Sequence, residues 1–156
     1  MKFSSPLIVV TDLERSRAFY REVLGLRVIS DFGANITFTG GLSLQTLESW
    51  EIFIQKSGKE IAFGGNDAEL YFEEDDLDSF LAHLETFENI QYVHGVKEYA
   101  WGQRVVRFYD PDRHIIEVGE NMKLVCKRFL DGGMSVEQVV ERTMLPARFV
   151  QSCAGK

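Results

Sequence analysis

Ile8-Val9-Val10-Thr11-Asp12-Leu13-Glu14-Arg15 finds a counterpart 64 residues later in Phe72-Glu73-Glu74-Asp75-Asp76-Leu77-Asp78-Ser79. Each stretch reads as the end of a strand, an aspartate whose carboxylate accepts from the free N–H groups at a helix start, and then the helix itself. A period of that length is too long for a solenoid repeat and too short for a self-sufficient domain. Two copies of one motif sharing a core are therefore expected.

Working outward, the first copy predicts a strand at 7–10 and a helix from 13 to about 24, closed by Gly25 where a positive φ is needed. Strands follow at 26–32, 35–38 and 42 to about 47, divided by Gly33 and by Gly40-Gly41. The second copy predicts a strand at 69–74 and a helix whose Leu77, Phe80, Leu81 and Leu84 keep i, i+3, i+4, i+7 spacing. Strands near 91–96, 104–109 and 115–118 complete it, with turns at Trp101-Gly102 and Asp110-Pro111-Asp112. The class is α+β: two βαβββ units at 5–48 and 68–120 within a domain over 1–120, joined by an arm over 50–65. Beyond it, residues 121–156 read as a helical appendage. Ser135 and Gln138 form a capping box there, and Pro146 stands where a third helix could begin.

A chain of 156 residues that is 45% hydrophobic is long and apolar enough to bury one sizeable core. The formal charge of −7 sets the body of the protein against nucleic acid and anionic membrane. Only five apolar residues run together near the start, so neither a secretory leader nor a membrane span is expected, and the cytoplasm is the default location. Cys126 and Cys153 match no metal-ligand spacing and read as reduced structural thiols. The appendage holds six basic and three acidic residues, opposite in sign to the body. Its last part has the spacing of a small helix-turn-helix, with Arg148, Gln151 and Lys156 on or after the final helix. The element is short and carries Glu137 and Glu141, so a packing or dimerisation role is the expectation rather than DNA readout.

Phe19-Tyr20-Arg21-Glu22-Val23-Leu24-Gly25-Leu26 and Tyr109-Asp110-Pro111-Asp112-Arg113-His114-Ile115-Ile116-Glu117 resemble the vicinal-oxygen-chelate superfamily. That superfamily includes glyoxalases, bleomycin-resistance proteins, fosfomycin-resistance enzymes and extradiol dioxygenases. The resemblance covers about residues 5–120 and implies that the units curl into a cup of roughly eight strands. It also implies homodimers, and a divalent ion held by one ligand from the first strand and one from the last strand of each unit, commonly His and Glu. The corresponding positions here are Ser5, Glu69, Glu117 and Gln45, or Thr46 in place of Gln45. None offers an imidazole, so an ion held by Glu117, Glu69 and Gln45 would be Mg, Mn or Ca rather than Zn. His114 and Glu117 point to opposite faces of one strand, and His83, His94 and His114 all read as exposed structural residues.

Without a metal, Glu69 and Glu117 facing one another would form a general acid and base, because like charges raise one pKa. They would equally hold a basic group of a ligand, or pair with an arginine such as Arg104 or Arg107. Tyr71 shares a strand face with Glu69, and Gln45 shares one with Ser43. Phe38, Trp50, Trp101 and Phe108 are candidates for an aromatic wall that stacks on a planar ligand, and each is equally a candidate for core packing. The leading expectation is a small-molecule-binding protein that lacks the histidine-based metal site and sequesters a cationic or aromatic ligand, as the bleomycin-resistance branch does. Two alternatives stay open: a metal-dependent lyase or isomerase, and a ligand-sensing regulator that reports through the basic tail.

Overall fold

The computed structural model describes residues 1–154. Its eight strands form two four-stranded mixed sheets with helices against them, an α+β arrangement of two βαβββ units followed by C-terminal helices. The chain groups into two units, one of Met1–Ala68 with Asp110–His114, the other of Glu69–Tyr109 with Ile115 onward.

In the first unit, β1 (Leu7–Val10) runs parallel to β4 (Ser43–Thr46), and β3 (Asn35–Phe38) and β2 (Val28–Asp31) extend the sheet antiparallel. The helix α1 (Leu13–Glu22) starts where Asp12 accepts from the Arg15 N–H at 3.0 Å, and Gly25 beyond its end has φ +66°. The chain alternates faces along each strand, so Val10, Ile36, Phe38 and Leu44 turn toward α1 and Tyr20, all fully buried. The connecting arm expected over 50–65 is entered by a helix, α2 (Leu47–Ile54), that starts as β4 ends, and a single 3-10 turn follows at Gly58–Glu60. Its tail of Ile52-Phe53-Ile54 has a strand-like composition, and none of its residues is fully buried, so no apolar stripe marks the helix.

The Asp110–His114 turn that belongs to this unit is held by its own carboxylates. Asp110 accepts from the N–H groups of Asp112 and His114 at 2.9 and 2.8 Å, and from the Tyr20 hydroxyl and His114 Nδ1 at 2.9 and 2.8 Å. Asp112 accepts from Arg15 at 2.9 Å, from Ser16 at 3.3 Å and from the Thr11 hydroxyl. Most of the sequence motif over 109–117 is thus structural: it ties a turn to the first helix.

The second unit repeats the plan. The strands β5 (Glu69–Glu74) and β8 (Ile115–Glu120) are parallel at one edge, followed by β7 (Arg104–Tyr109) and β6 (Gln91–Glu98). The helix α3 (Leu77–Leu84) is capped by Asp76, which accepts from the Ser79 N–H at 3.0 Å, and its Phe80 lies 6.4 Å from Phe108. Three helices then follow: α4 (Met122–Asp131), α5 (Val136–Thr143) and α6 (Ala147–Cys153). They close on Cys126, Val139, Val150 and Cys153, and both sides of the Ser135–Gln138 capping box are made. Burial, then the neighbouring Cys153, pushes the Cys126 thiol up to about 11, which leaves it a poor nucleophile. Arg148 and Gln151 are exposed on α6, and Lys156 lies outside the described residues. Among the described residues no helix is long and apolar enough to cross a membrane.

Glu120 pins these helices to the sheet. Its carboxylate accepts from the Arg104 N–H at 3.0 Å, from Arg104 Nε at 2.9 Å and from Arg128 on α4 at 2.8 Å. Burial alone would raise its pKa, but the hydrogen bonds from Arg128 and Arg104 outweigh that and bring it from 4.5 to about 2. A pKa lowered by folding means stability that is fully present above about pH 4.5 and is lost as the pH falls toward 2. Glu120→Gln is expected to cost up to about 3 kcal/mol in urea unfolding at pH 7, with the cost shrinking as the pH approaches 3. A cost independent of pH would refute this account of the carboxylate.

Candidate functional site

Strand register decides which side chains meet. In the second sheet Glu117 pairs across with Tyr71 on β5 and with Arg107 on β7, so all three stand on the face opposite α3, together with Glu69 and Glu73. Glu117 is buried at 6% exposure. The Arg107 guanidinium lies against it, Nη2 to Oε2, and donates through Nε to Glu69 at 2.9 Å. Its Nη1 donates to the Tyr99 hydroxyl at 2.6 Å and lies 3.3 Å from His94 Nε2. His94 Nδ1 is 2.7 Å from the Gly95 carbonyl, so the proton sits on Nδ1 and Nε2 accepts from Arg107. Burial works to lower the Arg107 pKa, yet the hydrogen bond and charge of Glu69, with Tyr99, raise it. The guanidinium is a permanent cation between two carboxylates.

A second set of contacts adjoins this one. Gln103, buried just after the Trp101-Gly102 turn, donates to the Tyr71 hydroxyl at 2.9 Å and to the Glu120 carbonyl at 2.8 Å, and its own Oε1 accepts from the Trp101 indole at 3.0 Å. Tyr71 in turn donates to Glu73 at 3.1 Å, and burial pushes its phenol upward, so it stays protonated as that donor. Trp101 stacks on Tyr99 with centroids 4.5 Å apart and rings 10° from parallel. Gly119 lies beneath this set: a Cβ there would stand 2.6 Å from Gln103 Nε2 and 3.4 Å from the Tyr71 ring, so only glycine leaves the glutamine its place.

Of the residues singled out from the sequence, Glu69, Glu117, Tyr71 and Trp101 meet in this one network. Phe108 does not line it: one residue on from Arg107, it faces the other way and packs fully buried against Phe80. Phe38 likewise belongs to the core of the first unit, 5.7 Å from Tyr20. Trp50 is half-buried on α2, and Ser5 is exposed ahead of β1. His94 is half-buried against Arg107 and Tyr99 rather than an exposed structural residue. Arg107, Tyr99, His94 and Gln103 carry the network. Only Arg107 had a signal in the sequence, as a possible partner of the two glutamates.

In the first unit Gln45 is 3% exposed: its Oε1 accepts from Asn35 Nδ2 at 2.9 Å and its amide N–H donates to the Ser49 hydroxyl. Thr46 is bonded to Ser49 at 2.6 Å. Among the described residues no three His, Cys, Asp or Glu side chains converge as a metal site. A divalent ion at Glu117 would meet the Arg107 charge, and the amide of Gln45 is already committed. As arranged, these donors do not fit a metal ion.

The glyoxalase-like domain model matches residues 3–123. The chain belongs to the glyoxalase-like domain family. That places it in the vicinal-oxygen-chelate superfamily, as its sequence motifs implied. A crystal structure of a protein of unknown function from Agrobacterium tumefaciens is 40% identical, with a TM-score of 0.71 over 78% of this chain and 94% of the other. A glyoxalase/bleomycin resistance protein/dioxygenase family enzyme from Burkholderia phytofirmans shares the fold at 18% identity, with a TM-score of 0.65 over 75% and 96% of the two chains. A lactoylglutathione lyase from Agrobacterium tumefaciens does so at 24% identity, with a TM-score of 0.60 over 78% and 94%. No curated protein sequence matches the chain.

Removing the cation from between two carboxylates leaves one of them buried and unpaired. Arg107→Met is therefore expected to destabilise the protein by roughly 3 kcal/mol, and Glu117→Leu added to it should restore much of that loss. Urea unfolding of both variants reads the difference. A double variant no more stable than Arg107→Met would show that the charge imbalance is not the cause.

Proposed function

We propose that this member of the glyoxalase-like family is a small-molecule-binding protein that works without the histidine-based metal site and takes a planar aromatic cation on the face around Glu117. One observation carries the reading: two carboxylates, Glu69 and Glu117, share a single guanidinium at Arg107, a third, Glu73, stands on the same strand face as the acceptor of the Tyr71 hydroxyl, and the stacked rings of Tyr99 and Trp101 lie beside them. The surplus of negative charge favours a cation. The exposed rings, with Trp101 at 36% and Tyr71 at 48% exposure, offer π faces that attract one. Arg107 has every nitrogen engaged, so it orients the carboxylates rather than seizing an anion.

Binding of this kind needs no bond to be made or broken, and sequestration of the ligand is sufficient as a function. A ligand that gives its positive charge to Glu117 or Glu69 would compete with Arg107 for an oxygen while the rings cover its flat faces. Affinity would then depend on charge first and on ring area second.

The test uses one ring system with opposite charges. Isothermal titration calorimetry with 1-naphthylmethylammonium and 1-naphthylacetate should show saturable binding of the ammonium, with the carboxylate weaker by about tenfold or more. Glu117→Gln should narrow that gap. Equal affinities, a preference for the carboxylate, or no binding of either compound would overturn the reading.

A further inference from the structure

The C-terminal helices meet the site at the turn that carries its aromatic rings. The chain from Glu98 to Gln103 is a tight hairpin turn: Gly102 N–H donates to the Tyr99 carbonyl at 2.7 Å, and Tyr99 N–H to the Gln103 carbonyl at 3.0 Å. Three side chains of the appendage reach it. Arg128 on α4 donates through Nη2 to the Gly102 carbonyl at 2.7 Å, while its other contacts hold Glu120 at 2.8 and 3.2 Å. Phe129, next on α4, lies so close to Gly102 that a Cβ added there would stand 2.1 Å from its ring. Gly102 also has φ +85°, so the turn requires glycine on both counts. Arg142 on α5 lies over the Phe129 ring, 4.2 Å from its centroid, and reaches Glu98 at 3.4 Å.

We propose that the C-terminal helices fix the aromatic side of the site, with Arg128, Phe129 and Arg142 as positioning residues that hold the Tyr99–Trp101 stack in place. Arg128 bonds to the Gly102 carbonyl, Phe129 packs against Gly102 and Arg142 bonds to Glu98. They act on the backbone just after Trp101 and on the strand end just before Tyr99. Without them, a six-residue turn closed by two backbone hydrogen bonds would carry an indole that is itself one-third exposed. Such turns are mobile unless packed. The energetic logic is pre-organisation, because a ring pair already fixed loses less freedom when a ligand stacks on it.

This inference rests on the binding face proposed above for what the turn serves, but the order of the turn has a readout of its own. The chain has two tryptophans, so Trp50→Phe leaves Trp101 as the sole indole. In that background, Phe129→Ala, Arg128→Met and Arg142→Gln should each raise acrylamide quenching of Trp101, Phe129→Ala by about twofold, and shift its emission to the red with the far-UV circular dichroism unchanged. Phe129→Leu, which refills part of that space without extending past the ring tip at Gly102, should bring the values back toward the parent. Affinity for 1-naphthylmethylammonium should fall with the same ranking, by up to about tenfold. If Phe129→Ala unfolds the chain, Arg142→Gln decides, since Arg142 lies on the exposed rim. Unchanged quenching in the folded variants overturns the positioning role even where the parent binds the ammonium. Raised quenching in a parent that binds no ammonium leaves the positioning role standing and removes only the proposed ligand.

Discussion

A guanidinium held between two carboxylates is the constraint on which the second unit's face depends. Arg107 fixes Glu117 and Glu69 on neighbouring strands and, through Tyr99, reaches the turn that ends β6. Water would hydrate each of these groups better than a sheet does, and a buried ion pair is commonly no more stabilising than apolar residues of the same size. What the pair contributes is geometry. Arg107 meets Glu69, Glu117 and Tyr99 at places set by strand register, so the side chains around it have few alternatives.

The same local plan supports different chemistry in the two units. Each begins with a strand, an aspartate cap and a helix packed on one sheet face, and in each the last strand lies parallel to the first. In the first unit the residue opposite Leu7, as Glu117 is opposite Tyr71, is Ser43, whose hydroxyl meets that of Thr37, and Gln45 on the same face bonds to Asn35 and Ser49, all of them neutral. In the second it is a carboxylate matched to an arginine. The two units share the backbone plan, namely the strand, the aspartate cap and the helix, while the side chains on the face opposite that helix differ, because the fold places few demands on them.

That distinction also explains what could be read from the sequence. Strand and helix positions were legible because Asp12, Asp76, Gly25 and the apolar spacing of α3 act within a few residues of themselves. The expected helix α1 overran its end by two residues, and α2 was missed because a helix with no buried face carries no periodic signal. The aromatic wall needed information of another kind. Phe38 and Phe108 are aromatic and strand-borne like true wall residues, but each falls on the helix-packed face, and parity relative to Glu117 or Gln45 follows only from the pairing of distant strands. Tyr99 and Trp101 escape that rule because they sit in a turn, where side-chain direction follows local hydrogen bonds. Arg107 could be named only as one of two possible partners, since nothing in its neighbours along the chain separates it from Arg104. The register does: Arg104 faces Glu120 and Arg107 faces Glu117.

The two arginines on β7 therefore serve opposite faces of the second sheet. Arg104 and Glu120 lie on the α3 side, where they join Asp78 and Arg128 in a network that binds the helices to the sheet. Arg107 and Glu117 lie three residues away along each strand and on the other side, where charge is gathered beside exposed rings. Gln103 bridges the two sides, donating to the Glu120 backbone and to Tyr71 at once. A network that served stability alone would have no need of surplus carboxylates or of an indole one-third open to solvent. Those two features cost the folded state something in repulsion and in exposed apolar area. Their presence opposite a well-satisfied structural network is the physical argument on which the proposed binding face rests.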